Sequence, residues 1–171
     1  MATAVRNSKL QLFCFHRISD EFSPAYPPIP VKVFDKIMSF INRHYLVIPI
    51  EEIGNSFISK KTRMIITFDD AFYDFYENAL PILQKYKFPA IQHVITNCAE
   101  STESFWTQRL NKIIEAYFFE KQKLIIPELN VNKIIEQVED VEHIALNLYL
   151  YASIHLKTGI FSVSVYHRLF P

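Results

Sequence analysis

The chain has 171 residues, half of them hydrophobic and 15% aromatic, which is enough to bury one substantial core and excludes a disordered chain. Eighteen basic residues balance eighteen acidic ones, so net charge gives no draw towards nucleic acid or an anionic membrane. The two cysteines, Cys14 and Cys98, do not make a disulfide framework and fit a reducing compartment.

The N-terminal stretch MATAVRNSKLQLFCFHR offers only a short apolar run, not the uninterrupted one a secretory signal needs. No later segment reaches membrane-spanning length, so the expectation is a soluble chain without an export signal, cytoplasmic by default. Leu10 to Phe15 reads as a first buried strand, and Ser23 to Pro30, with four of the nine prolines, as a loop. Val31, Phe34, Ile37, Met38 and Ile41 recur at helical spacing, and Leu46 to Ile48 gives a short second strand before Pro49.

Ile65 to Phe68 reads as a third strand. Phe72, Tyr76, Leu80 and Leu83 then mark one face of a helix that runs to about Tyr86, bent at Pro81 and closed by Lys87-Phe88-Pro89. Ala90 to Ile95 is a fourth strand, and Phe105, Leu110, Ile113, Ile114, Tyr117 and Phe118 predict a further amphipathic helix. From Val131, residues Ile134, Ile135, Val138 and Ala145 fit another helix, whereas Leu146 to Pro171 loses any clear period. Strands alternating with helices predict the α/β class, with parallel strands and crossover helices in one domain over residues 1–171. Two glycines in the whole chain leave no phosphate-cradling loop, and there is no Gly-x-Ser-x-Gly elbow.

The chemistry concentrates where the third strand ends, in Ile65-Ile66-Thr67-Phe68-Asp69-Asp70-Ala71. Two adjacent carboxylates between a strand and a helix lie where α/β proteins keep their sites. They also suit helix capping, since an aspartate there satisfies free N–H groups and complements the macrodipole. Asp74 reads as serving the first turn of the helix that follows. His16, at the end of the first strand, reads as a strand-end histidine bonded to backbone or as a substrate-binding residue at the same mouth. His93 reads as a core residue, and Trp106 as the buried aromatic of its helix or a platform for a sugar ring.

Thr67-Phe68-Asp69-Asp70, with Asn78-Ala79-Leu80-Pro81-Ile82-Leu83 and Lys87-Phe88-Pro89-Ala90 behind it, resembles the polysaccharide deacetylase family, the nodulation-type carbohydrate esterases. Phe15-His16-Arg17-Ile18, Leu46-Val47-Ile48-Pro49 and Phe105-Trp106-Thr107-Gln108-Arg109-Leu110 are similar to segments of one subgroup, so the likeness runs from about Leu10 to Leu110. The resemblance implies an irregular barrel of parallel strands and helices, here only its N-terminal part, with 146–171 outside the family fold. It implies a hydrolase acting on carbon–nitrogen bonds other than peptide bonds, removing N-acetyl groups from an amino-sugar polysaccharide or oligosaccharide. Asp69 would be the general base and Asp70 a ligand of a divalent metal, usually zinc.

The sequence departs from the family in three places. The His-Ser/Thr-x-x-His that would supply two further ligands is missing, since His93, His143, His155 and His167 have no histidine three to five residues away. Ala71 stands where the family has glycine. A closed barrel of this type needs about 200 residues or more, against roughly four good strands here. The alternative expectation is therefore a truncated, catalytically inactive fragment or a carbohydrate-binding remnant.

Overall fold

The computed structural model describes residues 9–55, 59–99, 104–126, 129–155 and 164–168, which fall into two compact units. The first takes in Met1–Asp20, Ile29–Ile95 and Val163–Pro171, the second Glu21–Pro28 and Thr96–Ser162.

The first unit is built on β3 (Thr62–Phe68), whose burial is nearly complete. Strand β1 (Leu10–Phe15) lies parallel along one edge of it, pairing Leu10 with Arg63 through Phe15 with Phe68. On the opposite edge, β2 (Tyr45–Val47) pairs with residues 62–64 and β4 (Ile91–Ile95) with residues 67 and 68, both parallel. Strand β7 (Ser164–Arg168) adds antiparallel to β4. The α/β class and the parallel order of the first four strands are thus as the alternating pattern predicts.

Alternation along β3 gives the sheet two different faces. Met64, Ile66 and Phe68 point to a core shared with Phe34, Met38 and Ile41 of α1 (Val31–His44) and with Phe75, Ala79 and Leu83. The rings of Phe15, Phe34 and Phe75 surround that of Phe68, at centroid distances of 5.4, 5.9 and 4.7 Å. Ile65 points the other way, packing with Ile48 and Ile91. Pro30 precedes α1, and the Val31 N–H donates to the Asp20 carboxylate at 3.0 Å, so a distant aspartate supplies the missing cap.

The helix after β3 corrects the sequence reading in its phase. It starts at Tyr73, passes through a π-helical turn over Phe75–Ala79, where the Leu80 N–H reaches back to the Phe75 carbonyl, and continues as α2 (Leu80–Tyr86). The wider turn buries Phe75, Ala79 and Leu83 and leaves Tyr76 exposed, in place of the face through Phe72, Tyr76 and Leu80. Lys87, at a φ of 55°, ends the helix, and the Phe88 N–H closes on the Leu83 carbonyl at 3.0 Å.

In the second unit, α3 (Thr96–Ala99) is a single turn and α4 (Trp106–Phe119) buries Ile114. Glu115 of α4 accepts from the Ser23 hydroxyl at 2.8 Å and the Ala25 N–H at 3.2 Å. A hairpin of β5 (Lys123–Ile126) and β6 (Val131–Ile134) follows, then α5 (Val138–His155). Ile114, Leu124, Ile135, Val141, Ile144 and Ala145 form its core. The helix predicted from Val131 therefore starts seven residues later. Asn130, at a φ of 54°, turns the chain into a strand whose β-branched Val131 and Ile134 suit a pleated surface.

Candidate functional site

The in-register parallel pairing decides which side chains meet at the carboxyl ends of the strands. Cys14 and Ile91 are both level with Thr67, on the face of Ile65. Two residues further on, the same face carries His16 from β1, Asp69 from β3 and His93 from β4. The ladder continues into this row, since the Asp69 N–H donates to the Phe15 carbonyl at 2.9 Å.

Asp69 and Asp70 then part company. His93 Nδ1 lies 2.5 Å from Asp69 Oδ1, while His16 Nδ1 lies 3.2 Å from Asp70 Oδ2. The backbone causes the divergence: Asp70 and Ala71 both take left-handed conformations, with φ of 68° and 50°. Two such residues in succession turn the chain sharply away from the strand and aim the neighbouring carboxylates at different histidines. Ala71 holds this conformation with a Cβ, which costs roughly 1–2 kcal/mol that a glycine avoids.

Behind the turn, a clamp fixes the end of β1. Asp74 is buried, and its carboxylate accepts from Arg17 Nε at 3.0 Å and from the Ile18 N–H at 3.4 Å. The Asn78 amide donates to the Ile18 carbonyl at 2.9 Å, and the Arg17 guanidinium lies 5.3 Å from the centre of the Phe72 ring. Asp74 stands in the first turn of its helix, as the sequence suggests, but its side chain makes no capping hydrogen bond there. Its work is to hold the residues next to His16.

The electrostatics follow from these pairings. The hydrogen bond to Asp70 raises His16 above the ordinary histidine value, helped by the charges of both aspartates and opposed by partial burial. Loss of water contact raises the Cys14 thiol, and the neighbouring Asp69 carboxylate adds to this, against a hydrogen bond from Thr67. One ligand atom each from Cys14, His16 and Asp69 all lie within 4.8 Å of one another, the only such trio of metal-ligating groups among the described residues.

Asp69, Asp70 and His16, all singled out in the sequence, therefore gather at one mouth. His93 joins them, half-buried and bonded to Asp69, where the sequence suggested a core residue. Its signal was the strand alternation that sets it in phase with Ile91, but only the β3–β4 register shows what lies beside it. Cys14 was missed for the same reason. His143 is exposed on α5 in the second unit, and the side chains of Trp106, His155 and His167 lie outside the described residues.

The polysaccharide deacetylase family model matches residues 58–139. No curated protein matches the chain. Among solved structures, a deacetylase from Streptococcus pyogenes, in complex with acetate, is 25% identical, with a TM-score of 0.48 over 63% of this chain and 52% of that one. A polysaccharide deacetylase from Bacillus cereus is 20% identical, with a TM-score of 0.48 over 63% of this chain and 36% of the other. A de-N-acetylase from Aggregatibacter actinomycetemcomitans is 15% identical, with a TM-score of 0.43 over 81% and 51%. The chain thus spans about half the length of the first of these structures. No helix among the described residues is long and apolar enough to cross a membrane.

Proposed function

We propose, for a chain that carries polysaccharide deacetylase sequence at residues 58–139, a deacetylase-like hydrolase that removes N-acetyl groups from an amino-sugar polysaccharide or oligosaccharide with the help of a divalent metal. The observation that carries this reading is the pair of carboxylates at the strand ends, each already joined to an imidazole, Asp69 to His93 and Asp70 to His16.

Amide hydrolysis needs a proton acceptor for the attacking water and positive charge near the carbonyl oxygen. A divalent ion, when bound, supplies Lewis-acid polarisation and lowers the pKa of the water. Two neighbouring carboxylates suit this division, because the one at the ion stays ionised while the other is free to receive the proton. The resemblance gives the proton to Asp69 and the metal to Asp70. His93 orients the carboxyl of Asp69 and His16 that of Asp70, so each enters the reaction in a fixed direction rather than as a rotating side chain.

The donors available here fit zinc in type, since thiolate, imidazole and carboxylate are all zinc ligands. They are not the family's set, because no His-Ser/Thr-x-x-His follows Asp70. A second reading is an inactive carbohydrate-binding remnant. Acetate release from an N-acetylglucosamine oligomer with added zinc or cobalt separates the two. The hydrolase reading expects metal-dependent release that Asp69→Asn and Asp70→Asn both abolish, and no release from the parent chain would overturn it.

A further inference from the structure

We infer that strand β7, at the far end of the chain, assembles the Asp69–His93 half of the site, so that His93 holds Asp69 only while β7 is paired with β4. The catalytic relevance of this coupling rests on the hydrolase reading, but the coupling itself stands apart from acetate release.

The strand register carries it. Strand β3 pairs with β4 at Ile91 and Gln92 and no further, because β3 ends at Phe68 and the left-handed Asp70 and Ala71 take the chain away. His93, Val94 and Ile95 extend past the last β3 partner, roughly 10 Å of strand at about 3.3 Å per residue. Their ladder partners lie in β7, which pairs Tyr166 with His93, Val165 with Val94 and Ser164 with Ile95. The residue that holds Asp69 is therefore seated by β7, not by the strand that leads into Asp69. With 2.5 Å between His93 Nδ1 and Asp69 Oδ1, the bond is sensitive to small movements, and a strand end without a ladder does not keep such a geometry.

The other half of the site has no such dependence. Strand β1 pairs with β3 along its whole length, the Asp69 N–H continues that ladder to the Phe15 carbonyl, and Asp74 clamps Arg17 beside His16. The His16–Asp70 pair is thus built between residues 10 and 74, whereas the Asp69–His93 pair waits for the end of the chain. From Ile95 the chain leaves the first unit, builds the second, and returns only at Val163. Among the described residues β7 is the last strand in the sheet order and is paired on one side. A terminal strand with one partner opens at lower free energy than the core, so docking of β7 is the step that fixes the direction of the Asp69 carboxylate. Whatever draws the tail away disarms that carboxylate without touching it.

Imidazole nitrogen NMR of the full chain tests this, since the shifts read the tautomer and pairing of each ring. Alternate N–H groups of an edge strand face its partner, so one of Val165 and Tyr166 donates to β4, and Val165→Pro together with Tyr166→Pro removes that bond. The expected result is that His93 moves to the shifts it has in Asp69→Asn while His16 keeps its parent shifts, which also shows the variant to be folded. A His93 signal unmoved by the two prolines overturns the inference, as do identical His93 signals in the parent and Asp69→Asn. Displacement of His93 and His16 together overturns it too, because β7 would then support the sheet at large. The expected shifts without acetate release from the parent chain leave the coupling standing and remove the hydrolase reading.

Discussion

Replacing Asp74 with alanine should cost the chain about 3 kcal/mol of stability, most of it through Arg17. Their side chains are 10% and 15% exposed, so water and salt screen the pair poorly. Removing the carboxylate takes away its charge-assisted hydrogen bond to Arg17, worth roughly 1.5–3 kcal/mol, and removes that counter-charge from a nearly buried guanidinium; breaking such a buried pair from one side typically costs about 3–5 kcal/mol. We take the lower end because the Phe72 ring still faces Arg17. A capping aspartate would cost about 1 kcal/mol and would be indifferent to Arg17. Urea unfolding of the parent, Asp74→Ala, Arg17→Met and the double variant closes a cycle, in which the clamp predicts a coupling of at least about 1.5 kcal/mol at unchanged m-values. A coupling below about 0.5 kcal/mol would refute the clamp and return Asp74 to a capping role.

Ala71→Gly should stabilise the chain by about 0.5–1 kcal/mol, because relief of the left-handed strain exceeds the entropy the glycine adds to the unfolded state; a loss of stability in the same unfolding assay would contradict the φ of 50°. Phe68→Ala should cost about 3–5 kcal/mol, since the ring is fully buried among three others, and a midpoint shift equivalent to less than about 1.5 kcal/mol would argue against that packing. His16, raised by Asp70, contributes stability that is fully present below the ordinary value of 6.5 and fades as pH climbs through the raised folded value. Imidazole NMR should find its midpoint above 6.5 in the parent and lower in Asp70→Asn. An unchanged midpoint in the variant would count against the His16–Asp70 bond.

How much of this was legible in the sequence depended on whether the information was local. Apolar period and turn residues located β1, α1, β3, β4 and α4 to within a few residues, and their alternation gave the parallel order. The two aspartates stood out because charge directly after a buried strand is unusual. What the sequence hid was lateral. His93 and Cys14 sit inside apolar runs and become site residues only through the register that sets Cys14 and Ile91 level with Thr67. Asp74 has the position of a capping residue, and only the returning end of β1 makes it the partner of Arg17. The π turn at Phe75 and the hairpin at Asn130 each replace one apolar phase by another that the same residues satisfy equally well.

Strand β1 has a consequence for anyone handling the protein. Among the described residues its hydrogen-bonding partners lie on one side, with β3, and Leu10, Leu12 and Phe13 along it are exposed. A row of unused amides beside greasy side chains is adhesive, and it does not discriminate between a legitimate neighbour and another molecule of the same kind. Purified material should therefore clump as concentration rises, and a lysine at Leu12, pointing its charge out from the lip of the sheet, should keep light scattering flat where the parent turns cloudy. The strand that presents His16 to the site is thus, among the described residues, also an open edge of the sheet.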